Sequence, residues 1–242
     1  MFTVEERERV WEWIFAVARA DDRVTGGAVT GSRSVGREDR WSDIDTAFGV
    51  RGDVELVSVL DDWTARFVRE FDVVHQFDLH RGGSIYRVFL LSNGLEVDIS
   101  LTPVASFGPH GPTFQLVFGE STEQPSHTPD LNELVGWGWI FLLYARTAIR
   151  RHRPWQAEYG IAGARNNGQA LACLRYDLLV TDARGTDDLP VEVKHSWVGS
   201  LVRSPDLDEL RRALLAAGHA YLGEIQYMDL DLAHRLRPLL LG

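Results

Sequence analysis

Gly31-Ser32-Arg33-Ser34, followed about ten residues on by Trp41-Ser42-Asp43-Ile44-Asp45-Thr46-Ala47-Phe48, is the stretch that decides how this chain is read. Asp43 and Asp45 stand two apart at the head of Ile44–Val50, an apolar run closed by Arg51-Gly52. Side chains on a strand alternate between faces, so both carboxylates are predicted to leave the same one. Two neighbouring carboxylates suit one or two Mg²⁺ ions, which keep water and phosphate oxygens as their remaining ligands. Gly31 lets the backbone approach a phosphate closely, and Ser32 adds a hydroxyl donor. A helical turn opening near Ser34 would aim free N–H groups at the same phosphate. Arg33 is a candidate phosphate contact; its alternative is an ordinary solvated loop residue.

Outward from this stretch, the first half alternates helix and strand. Val10, Trp11, Ile14, Phe15 and Ala18 recur at helical spacing within Val4–Ala20, and Ala28–Thr30 has the texture of a short strand running into Gly31. Leu56, Val59, Leu60, Trp63 and Phe67 mark one face of a second helix, with Asp61 and Asp62 off it as a solvated face. Strand-like runs follow at 72–79, 85–91 and 95–101. Asn93-Gly94 separates the last two and is a strong hairpin signal, so 95–101 is predicted antiparallel to 85–91. The fold class is α+β: a mixed sheet of about five strands with flanking helices, followed by an all-α helical bundle.

The hairpin brings up a third carboxylate. Leu95-Glu96-Val97-Asp98-Ile99-Ser100-Leu101 carries Asp98 in mid-strand between Val97 and Ile99. A carboxylate in an apolar strand is costly unless paired or bound to a cation. Glu96 shares its face and is the fallback.

From Thr102 to Asp130 the texture turns to proline and glycine, a linker or long crossing loop in which Phe114–Phe118 has room for one more strand. Thr128-Pro129-Asp130 reads as a helix start, and the domains divide as 1–125 and 126–242. Helical patterns cover 131–151, 155–181, 206–217 (ending near Gly218) and 229–241. Glu158, Arg165, Gln169 and Tyr176 fall at helical spacing, either a polar stripe for an acceptor or a partly exposed face with an internal Glu–Arg contact. Trp137 and Trp139 read as core, as does Cys173, and the histidines show no metal-ligand spacing.

With 45% hydrophobic and 25% charged residues, the chain has the profile of a globular protein. Its formal net charge of −10 disfavours long nucleic acid as a partner, because duplex affinity comes largely from neutralising phosphates. Cys173 is the single cysteine, which excludes an internal disulfide. No apolar segment is long enough to span a bilayer comfortably and the first residues lack signal-peptide character, so a cytoplasmic location is expected.

Gly-Ser, then Asp-x-Asp on a strand, then a later strand bearing one Asp resembles the nucleotidyltransferase superfamily of DNA polymerase β. Within it, Gly31 to Ser34 through Trp41 to Phe48 resembles the bacterial antibiotic nucleotidyltransferases that adenylylate aminoglycosides and lincosamides. The resemblance covers roughly residues 24–102, and the helical half in outline. It implies that Gly31 and Ser32, with Arg33 beside them, hold the triphosphate of ATP or another nucleoside triphosphate. It further implies that Asp43 and Asp45 bind Mg²⁺, and that Asp98 is a metal ligand, the general base, or both. The acceptor it implies is a small molecule, with Glu158 and Arg165 as candidate contacts. Two alternatives remain at this level: the same chemistry on a protein or RNA partner, as in toxin-paired members, and an inactive nucleotide-binding module.

Overall fold

A computed structural model describes residues 1–125 and 130–242. Contacts divide the chain into two compact units, Met1–His127 and Thr128–Gly242. The Thr128-Pro129 part of the expected helix start lies outside the described residues, while Asp130 caps the first helix of the second unit through Asn132 N–H at 2.8 Å.

The first unit opens with α1 (Val4–Arg19), whose start is a capping box. Thr3 accepts from the Glu6 amide at 3.2 Å, and Glu6 accepts from the Thr3 amide at 2.7 Å. Then come β1 (Val24–Thr30), the one-turn α2 (Gly31–Ser34), β2 (Ile44–Val50), α3 (Leu56–Glu70), β3 (Val73–Arg81), β4 (Ser84–Leu91), β5 (Glu96–Pro103) and β6 (Phe114–Gly119). The sheet has six strands in the order β3-β4-β5-β2-β1-β6. All its pairs are antiparallel except β2 with β5. The chain leaves β2 through α3, and the meander β3-β4-β5 brings it back parallel. This return sets the site.

One face of the sheet carries the core. Val10, Ile14 and Phe15 of α1 and Val59, Leu60, Trp63 and Phe67 of α3 are buried with Ile44, Phe48, Phe89, Val97, Ile99 and Leu101 of the strands. Phe48 meets Trp63 edge-on at 5.1 Å, and Phe67 meets Phe89 at 4.7 Å, geometries worth about 0.5–1.5 kcal/mol each beyond area burial. β1 is longer than its sequence suggests because Gly26-Gly27, usually strand-weakening, belongs to it. A Cβ on Gly27 would lie 2.3 Å from Phe118 and 2.9 Å from Phe48, so close aromatic packing requires glycine there. Phe114–Gly119 is the sixth strand, one more than the five expected. Asn93-Gly94 makes the predicted turn, and Ile85 pairs with Leu101 antiparallel.

The second unit contains α4 (Leu131–Arg150), α5 (Pro154–Arg175), α6 (Val191–Val198), α7 (Leu207–Met228) and α8 (Leu230–Leu241). Its core gathers Leu142, Ile149, Ile161, Leu171, Trp197, Leu210, Tyr221 and Ile225. Several expectations are corrected here. The second long helix stops at Arg175 rather than Thr181: Asp177 adopts a φ of 55°, and the Leu178 amide returns to the Cys173 carbonyl at 2.9 Å. Leu178 and Val180 then pack on Cys173 and Leu189, so their apolar character serves a loop. α6 has no counterpart in the periodicity. Gly218 does not end α7, which runs on to Met228, because Gly218 is buried against Leu241 and tertiary packing outweighs its helix penalty of about 1 kcal/mol. Trp137 is exposed rather than core, with its indole N–H on Glu133 at 3.2 Å; Trp139 is partly buried, and Cys173 is buried as expected. Among the described residues no helix is long and apolar enough to cross a membrane.

Candidate active site

The helical turn begins at Gly31, three residues before the expected position, directly at the end of β1. Gly31 has a φ of 60°, a conformation other residues adopt at a cost. A Cβ there would fall 1.9 Å from Asp45 Oδ2, so the motif glycine makes room for the motif aspartate. Ser32 is half-buried beside it, and its hydroxyl takes no hydrogen bond from any described residue. Ser34 closes the turn by donating to the Gly31 carbonyl at 2.7 Å.

Parallel pairing of β2 and β5 puts Asp45 level with Asp98. Both point to the sheet face opposite the core, since Ile44, Thr46, Val97 and Ile99 on either side of them are buried. Thr46 Oγ1 donates to the Asp98 carbonyl at 2.9 Å and helps hold the two strands at this level. Asp43 lies one residue ahead of β2 and is exposed; Glu96, on the same face as Asp98, is exposed as well.

Asp98 Oδ1 is buried with no hydrogen-bond partner. Burial, and then the charges of Asp45, Glu96 and Asp43, push its carboxyl up to about 7. An ionised carboxylate in this position lacks a counter-charge, and a cation or a proton must supply it. The donors are hard oxygens, the set that Mg²⁺ takes. Among the described residues no three His, Cys, Asp or Glu side chains close into a metal-holding group. Mg²⁺ fits the facing pair because it binds through one or two carboxylates and completes its octahedron with water and phosphate.

Arg33 is taken up elsewhere. Its guanidinium makes two bonds to Glu8, at 2.6 and 2.8 Å, approaches Glu38 at 3.2 Å and stacks on Trp11 at 4.4 Å. These contacts tie the α2 turn to α1. Beside it lies a residue that periodicity hides: Arg7, 3% exposed, donates to the carbonyls of Asp39 and Ser42, the latter at 3.1 Å. Asp39 and Ser42 hold their own turn, the Asp39 amide donating to Ser42 Oγ at 2.9 Å. Arg7 thus fastens the loop joining Gly31-Ser32 to Asp43. Its signal in the sequence was only an arginine one turn from the core residue Val10, which a solvated residue gives equally.

Glu158 and Arg165 lie on α5, in the second unit. Arg165 donates to the Ser200 carbonyl at 3.1 Å; burial lowers its pKa, and the charge of Glu158 opposes that shift. Gln169 follows on the same helix, whereas Tyr176 is its C-cap and ends the stripe.

No protein-family model matches the sequence, and no curated protein does. Among solved structures, the chain is similar to an aminoglycoside 6-adenyltransferase from Bacillus subtilis, at 11% identity and a TM-score of 0.40 over 96% of this chain and 92% of that one. It is also similar to a nucleotidyltransferase-like protein from Exiguobacterium sibiricum, at 12% identity and a TM-score of 0.35, covering 96% of this chain and 80% of that one. Neither likeness bears on the chemistry, which follows from the side chains themselves.

Proposed function

We propose that the protein is a Mg²⁺-dependent nucleotidyltransferase, moving a nucleoside monophosphate, AMP from ATP, to a hydroxyl of a small molecule. Residues 1–125 would be the catalytic domain and 126–242 the helical domain. One observation carries the reading: Asp45, against the Gly31 turn, is level with Asp98 on the adjacent parallel strand, and Asp98 Oδ1 is buried and unpartnered.

The Gly31 backbone and the Ser32 hydroxyl receive phosphate oxygens, with close approach allowed by the missing side chain. Asp45 and Asp98 would hold Mg²⁺, with Asp43 reaching in from the head of β2. The ion, when bound, neutralises triphosphate charge and polarises the phosphoryl oxygens. The acceptor oxygen attacks the α-phosphorus, a new P–O bond forms, and the bond to the bridging oxygen breaks. Pyrophosphate leaves with that electron pair. Asp98 stands where a carboxylate can take the hydroxyl proton. Holding acceptor and nucleotide together supplies much of the rate, since the step then becomes effectively unimolecular.

Incubation with labelled ATP, Mg²⁺ and a panel of hydroxylated amines tests this. Pyrophosphate release that disappears in Asp45→Asn is the expected result. ATP binding without release for any acceptor would overturn it.

A further inference from the structure

β3 (Val73–Arg81) is an edge of the sheet, nine residues long, without the proline or lysine that often keeps an edge from pairing. Its irregularity, a bulge at Val74 between Val73 and His75, lies near one end. Gly82 and Gly83, with φ of 57° and 85°, make a two-residue hairpin turn that closes on the Arg81–Ser84 pair. Bonded and non-bonded pairs alternate from there. Arg81, Leu79, Phe77 and His75 therefore aim their backbone groups at β4, while His80, Asp78 and Gln76 aim theirs outward. Past the bulge the Ser92 amide donates to the Asp72 carbonyl at 2.9 Å, so Val73 is the next residue to face outward.

The side chains have an order of their own. Asp45, Asp98, Val88 and Phe77 stand in one row across the sheet, so Phe77 lies on the face opposite the core, and His75, Leu79 and Arg81 share it by alternation. The bulge reverses the alternation and returns Asp72 to that face, since Val73 is level with the buried Leu91. Phe77 is 47% exposed and Leu79 39%. Asp72 and Arg81 are exposed, and neither side chain has a partner among the described residues.

We propose that β3 pairs edge to edge with β3 of a second copy, antiparallel about a two-fold axis at Phe77, joining the two sheets into one. In this register the outward backbone groups meet only one another: Gln76 pairs with Asp78 of the second copy and Val73 with His80, each twice. On the open face Phe77 meets the second Phe77, Leu79 meets His75, and Asp72 comes opposite Arg81. An axis one residue further on, at Asp78, would set two carboxylates directly opposite each other, which is destabilising. Two chains of formal charge −10 repel over most of their surface. Along β3, Asp78 is the single carboxylate, and Arg87 neutralises it at 2.7 Å. An extended segment of another protein would find the same backbone groups without the matching charge at both ends.

Sedimentation velocity of the full-length protein over a range of concentrations tests this. A monomer–dimer equilibrium is expected, with a Kd on the order of 10 µM, because a paired edge buries less than a standard interface. Gln76→Pro removes an outward N–H and no bond to β4, so it should weaken the dimer at least tenfold while the circular dichroism of the monomer is unchanged. Asp72→Arg and Arg81→Asp each set like charges opposite each other twice per dimer, and each should weaken it by about tenfold. The double variant restores the attraction with its sign reversed and should return to within about twofold of wild type. A monomer at every concentration overturns the proposal, whether or not the edge takes up an extended peptide. So does a dimer indifferent to Gln76→Pro, or a double variant no tighter than the single ones.

Discussion

Asp45 and Asp98 face each other as partners in a parallel register, although more than fifty residues of chain separate them. Asp98 is half-buried with its Oδ1 buried and unpartnered, and its neighbours Asp45, Glu96 and Asp43 are all acidic. Such an arrangement is unfavourable for the isolated chain and favourable once a cation is present.

Asp98→Asn should therefore stabilise the metal-free protein while abolishing transfer. In EDTA, the thermal transition of the first unit is expected to rise by the equivalent of about 1 kcal/mol. Pyrophosphate release should fall below detection. Differential scanning calorimetry beside the transfer assay reads both; a variant less stable than wild type in EDTA would contradict the account.

Gly31→Ala has nowhere to place its methyl. The left-handed φ and the 1.9 Å approach to Asp45 Oδ2 add strain of about 1–3 kcal/mol, relieved only by moving Asp45 or unwinding the turn. Nucleotide affinity measured by calorimetry should drop by at least tenfold.

Removing Arg7 leaves the Asp39 and Ser42 carbonyls without their donor and opens a buried gap. Arg7→Ala is expected to cost about 3 kcal/mol in chemical denaturation, and Arg7→Lys, with one ammonium in place of a planar fork, most of that. At a temperature where the variants remain folded, KM for the nucleotide should rise more than kcat falls, since the loop between Ser32 and Asp43 is displaced while Asp98 stays in place.

Asp21 supplies a pH signature. Its carboxyl is held at about 2 by Arg23, which bonds it through side chain and backbone, and by the Trp63 indole at 2.8 Å. A carboxyl whose folded pKa lies below its unfolded value of 3.8 contributes stability fully present above about pH 4. That contribution is lost as pH falls from about 4 to about 2. Asp21→Ala should thus melt lower than wild type at pH 7, and the two curves should converge toward pH 2.

Much of the fold was legible because its signals are local. The Asn93-Gly94 turn, flanked by two strand-like runs, signals an antiparallel pair, and helical spacing of Val10, Ile14 and Phe15 marks a buried face of α1 without reference to the rest. Where the reading failed, a distant contact overrode a local rule. Gly218 is a stop signal by propensity, yet Leu241 packs against it and α7 continues.

The sequence by itself determined that Asp45 leaves the strand on the face opposite Ile44 and Thr46 and that Gly31-Ser32 precedes it, because strand periodicity and glycine's conformational range need no partner. Only the tertiary structure decided which carboxylate of β5 meets Asp45, since parallel register across α3 and a hairpin is set by the packing of Phe48, Phe89 and Leu101 rather than by any adjacent residue. It likewise decided that Arg7 is buried and that Phe77 stands in line with Asp98. Each of these depends on which strands become neighbours, and that choice is made by the core as a whole.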